Sequence, residues 1–137
     1  MARKWTPPAS RQPLLIEGYA SVFGRADRCG DVVRAGAFAR SLRARPPAML
    51  LQHQSGAVAG RWVRISETGF GLFVRGLVDS ESAARLVQDG LDGLSIGFRP
   101  RLWTPRAEGG RVLIDVDLIE ISLVADPMQP AARFEHI

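Results

Sequence analysis

The sequence has few of the residues from which metal and redox sites are usually made. It holds one cysteine, Cys29, so a disulfide within the chain and a cysteine-based zinc site are both excluded. It holds two histidines, His53 and His136, which lie too far apart in sequence to suggest a ligand cluster. The sequence therefore predicts no metal and no cofactor.

The chain also has no long apolar run and almost no lysine. No stretch approaches the roughly 20 apolar residues that cross a bilayer, and the basic pair Arg3–Lys4 is not followed by the apolar segment of a secretory signal. We therefore expect an intracellular protein without a membrane partner. All but one of the 18 basic residues are arginines, and the net charge is +4. Because these arginines are scattered, solvated surface charge is favoured over nucleic-acid binding.

Length and patterning predict one mostly β domain. Residues 1–13 hold three prolines and predict a flexible leader, and residues 14–137 predict a single domain. Short strand-forming runs at close spacing predict six to eight strands in a mostly antiparallel barrel or sandwich, with two or three short flanking helices. Strands are predicted at 14–23, 31–34, 48–52, 58–65, 70–78, around Ser95 and at 112–124. Helices are predicted at 36–42 and 79–90, and turns at 54–56 and 67–69.

Ser95 stands in a glycine-flanked apolar segment, Gly93–Phe98, and is a candidate nucleophile. A serine hydroxyl needs a neighbouring base near neutral pH, and histidine suits that task. His136 lies next to the end of the chain, so His53 is the candidate base. Each residue also has a plain structural explanation: Ser95 as a small residue at a close approach, and His53 as a surface histidine with satisfied hydrogen bonds.

Glu120 is the candidate for the group that orients the histidine. Period-two alternation places it on one face of a predicted strand with Leu118, Ser122 and Val124. An unpaired carboxylate among apolar neighbours costs several kcal/mol, so Glu120 needs a partner. An imidazole and an arginine would serve equally well, and the pattern alone leaves that choice open.

Five blocks in the same order resemble the prohead (procapsid) maturation proteases of tailed phages. They span nearly the whole chain and are Glu17–Phe23, Asp27 with Asp31–Val33 and Gly36–Leu42, Leu50–Gln54 with Val58–Trp62, Leu94–Phe98, and Glu120–Val124 with Asp126–Pro127. That family is similar in fold to the herpesvirus assemblins, which implies a closed antiparallel β-barrel with small flanking helices. The resemblance implies Ser95 as nucleophile, His53 as general base and Glu120 as the third member.

The resemblance also implies a function, a place of action and partners. The expected activity is that of a serine endopeptidase that cleaves scaffold and capsid-protein extensions inside the immature capsid in the host cytoplasm, and that also cleaves itself. The major capsid protein and scaffold segments would be its substrates, and a homodimer or higher oligomer is left open. An oxyanion donor is expected from a loop near residues 99–101. The alternatives are an inactive protease-fold scaffold or shell-binding protein of a phage or gene transfer particle, and a small basic nucleic-acid-binding barrel.

Overall fold

The computed structural model describes residues 12–137, which form eight strands and two short helices. The strands are β1 (Leu14–Val22), β2 (Val32–Val33), β3 (Ala48–Leu51), β4 (Gln54–Glu67), β5 (Gly71–Val78), β6 (Gly93–Pro105), β7 (Arg111–Val124) and β8 (Phe134–His136). The helices are α1 (Ala39–Ala44) and α2 (Glu81–Gln88). The predicted leader lies, up to residue 11, outside the described residues. Neither helix of residues 12–137 is long and apolar enough to cross a membrane.

The strands form one mixed sheet in which β7 pairs with three other strands. The strand order is β2-β7-β3-β4-β5-β1-β8, and β6 also pairs with β7. Pairing is antiparallel except where β2 and β3 run parallel to β7. The two parallel partners contact different halves of β7: β2 pairs with its beginning and β3 with residues 120–123. The long strand β7 therefore holds the end of β3 and the start of β6 together.

The sheet is open, so the predicted closed barrel is wrong. Within residues 12–137 no ladder joins β6 to β1 or β8; that gap is spanned by an isolated bridge, Gly93–Arg133, and by bonds such as Leu94 N to Ala132 O at 2.9 Å. The segment that would have to supply a closing strand contains Pro127 and Pro130. Proline has no N–H to donate to a ladder, so this segment cannot pair continuously.

Several element boundaries differ from those predicted. The turn expected at residues 54–56 lies instead at Gln52–His53, and β4 begins at Gln54. Helix α1 begins at Ala39 rather than at Gly36, because Gly36 has a φ of +91° and belongs to the preceding turn. Strand β6 runs on to Pro105, and the three-residue β8 was not predicted.

Along β5 the core side chains alternate as expected, but along β7 they come from both alternation phases, Val116 and Leu118 from one and Ile121 and Leu123 from the other. The register between β6 and β7 shifts between the Leu118 and Glu120 pairs, which interrupts the alternation. Helix α2 is capped by Ser80, whose Oγ accepts a hydrogen bond from Ala83 N, and the helix covers β4 with its apolar side. The largest side chains that are fully buried include Phe38, Ile16, Met49, Leu72, Leu94, Leu113, Leu118, Ile121 and Leu123. Burial of these side chains, each worth about 1.5–3 kcal/mol, fixes the strands that carry the polar site on the other face of β7.

Asp31 attaches the loop before β2 to the start of β7. The carboxylate is 6% exposed and accepts three bonds from Arg111: from its backbone N at 3.0 Å, from Nε at 3.1 Å and from Nη2 at 2.7 Å. These hydrogen bonds hold the pKa of Asp31 below its usual range, although burial acts in the opposite direction. A lowered pKa means that the ionised form stabilises the fold.

Replacing Asp31 by Asn should destabilise the protein by about 2 kcal/mol at neutral pH, because it removes the charge from a buried, hydrogen-bonded pair. The stabilisation is present above the ordinary carboxyl pKa of about 3.9 and is lost as pH falls through the lowered value. Urea unfolding of both proteins at neutral pH and near pH 3 measures this. The difference between them should shrink at the lower pH. Asp126→Asn is the control, because Asp126 pairs with Arg28 in an exposed position and should matter little; a constant or absent Asp31 effect would contradict the assignment.

Candidate active site

Glu120 on β7 is paired with a histidine and not with an arginine. His53 Nδ1 lies 2.5 Å from Glu120 Oε1, across 67 residues of sequence. The carboxylate is nearly buried at 8% exposure, whereas the imidazole is partly exposed. When the carboxylate is ionised it can only accept, so Nδ1 carries the hydrogen and donates the hydrogen bond. Nε2 is then the basic nitrogen of the ring. The structure thus decides between the two partners that the sequence left open.

His53 occupies a strained turn between β3 and β4. Gln52 and His53 have φ values of 52° and 60°, and they connect the paired residues Leu51 and Gln54. Two-residue hairpin turns with both φ values positive are normally made of Asn-Gly or Asp-Gly. A side chain larger than glycine costs roughly 1–2 kcal/mol at such a position. The fold therefore carries a histidine where its backbone would favour glycine, which points to a use for the imidazole.

The turn is attached to the end of β7 by its backbone. Gln52 N donates to Leu123 O at 2.9 Å, and His53 N donates to Ser122 Oγ at 3.2 Å. These bonds continue the parallel pairing of β3 with β7. Two backbone hydrogen bonds of the turn, together with the bond from Nδ1 to Glu120, thus hold the imidazole beside the carboxylate.

Gly97 provides the space in which the Glu120 side chain lies. The two residues are directly paired across β6 and β7. A Cβ at position 97 would lie 2.6 Å from Glu120 Cγ and 2.8 Å from Cδ, far closer than real contacts allow. Glycine at position 97 therefore leaves room for the cross-strand packing of the carboxylate.

Ser95 lies on the same face of the sheet, two pairs further along the ladder. It is paired with Ser122, two residues from the Gly97–Glu120 pair, and successive side chains on a strand alternate between faces. Ser95 is 6% exposed, and its Oγ is not among the partners that His53 and Ser122 bind within residues 12–137. The structure therefore brings Ser95 to the face that holds Glu120 but does not form a Ser95–His53 hydrogen bond. In unliganded enzymes such bonds are often long and tighten only when substrate binds.

Ser122 is part of this cluster, and no role for it was predicted from the sequence. It is fully buried, and its Oγ donates a short hydrogen bond to Glu120 Oε2 while accepting the one from His53 N. The only signal in the sequence is the alternation that places Ser122 on the Glu120 face. Serines in strands are common, so this signal is too weak to identify it alone.

The segment in which an oxyanion loop was expected is a strand. Residues 99–101, where an oxyanion loop was expected, belong to β6, and Arg101 forms an exposed ion pair with Asp117. His136, the other histidine of the chain, is exposed on β8 opposite Ile16. Beside Ser95 lies a small, mostly apolar cleft of about 40 Å³, whose lining includes Ala20, Leu94, Ile96, Phe98 and Met128.

Comparison with known proteins identifies relatives in sequence. Residues 4–137 match the sequence profile of the family described as caudovirus prohead serine protease. The prohead protease of Enterobacteria phage HK97 is 38% identical over 93 residues, which are 61% of this chain and 41% of that protein. The chain thus spans about two fifths of the length of that curated relative.

Solved structures show the same fold at low sequence identity. The capsid assembly protease of bacteriophage T4 superimposes with a TM-score of 0.67 and 14% identity, covering 83% of this chain and 82% of that one. The KSHV protease, solved with a hexapeptide phosphonate inhibitor, gives a TM-score of 0.59 with 15% identity, covering 92% of this chain and 66% of that one. The match of the family profile over nearly the whole sequence decides the assignment. This chain belongs to the caudovirus prohead serine protease family.

Proposed function

We propose that this protein is a serine endopeptidase of procapsid maturation, with Ser95 as nucleophile, His53 as general base and Glu120 as the residue that orients His53. Its substrates would be scaffold segments and extensions of the major capsid protein, cleaved inside the immature capsid in the host cytoplasm. The observation that carries the proposal is the His53–Glu120 pair on the sheet face that also holds Ser95. Membership of the protease family supports the same chemistry.

The proposed reaction follows from the chemistry of the three groups. Ser95 Oγ attacks the carbonyl carbon of the scissile peptide bond while His53 Nε2 takes the hydroxyl proton. As the tetrahedral intermediate collapses, the carbon–nitrogen bond breaks and the same proton passes to the leaving amine. Water then attacks the acyl-enzyme, again with His53 as base, which releases the second product and restores Ser95.

Glu120 would act through the imidazole rather than on the substrate. Its carboxylate accepts a hydrogen bond from Nδ1–H, which fixes the tautomer and keeps Nε2 free to act as base. The carboxylate also stabilises the imidazolium that forms during attack. Because Glu120 is almost buried, its interaction with that charge is screened less than it would be at the surface.

The first test is cleavage of the proposed substrate, the precursor of the major capsid protein, by wild-type protein and by Ser95→Ala, followed by mass spectrometry. We expect the variant to lose at least about a thousandfold in cleavage rate, because no other hydroxyl takes the place of the nucleophile. Its unfolding midpoint should stay close to that of the wild type. Ser55→Ala, at an exposed serine of β4, is the matched control and should cleave normally. Unchanged processing by Ser95→Ala would reject the proposal.

The second test compares His53→Ala with Glu120→Gln. Loss of the base should reduce the cleavage rate about as much as loss of Ser95, because the two groups act as one unit. Glu120→Gln keeps a group that can accept from Nδ1, so its loss should be smaller, about a hundredfold. Single-turnover rates on a peptide spanning the cleavage site measure both. A wild-type rate for Glu120→Gln would show that the carboxylate does not contribute to catalysis.

The third test uses Gly97→Ala, which adds one carbon where the Glu120 side chain lies. Displacement of the carboxylate by even 1 Å should reduce the cleavage rate about a hundredfold. Gly56→Ala is the matched control, because a Cβ at that position meets nothing within 4 Å and its φ is not in the left-handed region. Equal rates for the two variants would show that the position of the Glu120 side chain does not matter.

A further inference from the structure

The side chain of Ser122 bonds both to Glu120 and to the turn that carries His53. Its Oγ donates to Glu120 Oε2, while Oε1 of the same carboxylate is bound to His53 Nδ1. The same Oγ accepts from His53 N at 3.2 Å. One hydroxyl is therefore bonded to the carboxylate and to the backbone of the residue that the carboxylate orients.

The hydrogen-bonding capacity of a serine fits this arrangement. A hydroxyl has one proton to donate and two lone pairs that accept. The proton of Ser122 is committed to Glu120, and one lone pair is committed to His53 N. Since the side chain is fully buried, no water competes for these bonds. Burial and a committed proton also make Ser122 a poor nucleophile, although it stands directly opposite Ser95.

We propose that Ser122 is a positioning residue for the His53–Glu120 pair. Its hydroxyl fixes the Glu120 carboxylate in the rotamer that meets Nδ1, and it ties the strained turn at Gln52–His53 to β7. The effect on catalysis rests on the proposed function; the effect on the imidazole does not. Without this hydroxyl, Oε2 loses its donor and His53 N loses its acceptor, so the carboxylate and the ring each gain freedom to move.

The experiment compares Ser122→Ala with Ser122→Thr, which keeps a hydroxyl in a strand-compatible side chain. Ser41→Ala is the matched control, since Ser41 is also buried and its Oγ accepts from Leu118 N on the same strand β7 at 2.8 Å. Loss of the Ser41 hydroxyl thus removes a buried hydrogen bond to β7 without touching His53 or Glu120.

The primary readout is the tautomer of His53, measured from the ¹⁵N shifts of its ring nitrogens in untagged protein. The chain has only two histidines, so spectra of a His136→Gln variant assign the signals. Wild type, Ser122→Thr and Ser41→Ala should show a ring protonated at Nδ1. Ser122→Ala should show a mixture of tautomers. A wild-type ring in a folded Ser122→Ala protein would overturn the proposal, and so would loss of the Nδ1 tautomer in Ser41→Ala.

The second readout is cleavage of a peptide spanning the processing site. Ser122→Ala should lower kcat about tenfold, because Glu120 loses its donor and the His53 turn loses its acceptor, with KM nearly unchanged because the buried side chain cannot contact substrate. Ser122→Thr should recover most of kcat. If wild type cleaves and Ser122→Ala has the same kcat, the role of Ser122 fails while the proposed function stands. If wild type does not cleave, the proposed function fails, and the tautomer still decides the role of Ser122.

Discussion

The hydrogen bond between His53 Nδ1 and Glu120 Oε1 is the interaction on which the candidate site depends. It exists because β3 runs parallel to β7, which places the turn after Leu51 beside residues 122 and 123. The antiparallel pairing of β6 with β7 then brings Gly97 opposite Glu120 and Ser95 opposite Ser122. One long strand thus brings together the three residues proposed as base, orienting group and nucleophile.

Several features of this site destabilise the fold locally. Two non-glycine residues adopt left-handed backbone conformations at Gln52–His53, and the carboxylate of Glu120 is almost buried. The core on the other face of β7 and contacts such as Asp31–Arg111 compensate for these costs. Strain concentrated at groups with a chemical role is typical of functional sites. Here the strained residue is also the only histidine that contacts Glu120 in the described part of the chain.

Alternation in sequence was enough to predict the long strand β7 and the face shared by Glu120 and Ser122, but it wrongly added Leu118 to that face, because a register shift between Leu118 and Glu120 interrupts the alternation. It could not choose between histidine and arginine as the partner of Glu120, because that choice depends on a parallel pairing between segments about 70 residues apart. The turn at Gln52–His53 was missed because its two residues are not typical turn residues. Ser55 and Gly56, just after it, indicated a turn at residues 54–56 instead. The prediction of a closed barrel was wrong because Pro127 and Pro130 interrupt the segment that would have to close the sheet.

The most direct measurement of the central claim is labelling with a fluorophosphonate, followed by mapping of the modified residue by mass spectrometry. Ser95 Oγ would form the bond to phosphorus, fluoride would leave, and the hydroxyl proton would pass to His53. The account predicts an adduct on Ser95 in the wild type and a labelling rate at least about a hundredfold lower in His53→Ala. An adduct on Ser122 or elsewhere, or equal labelling of the two proteins, would contradict it.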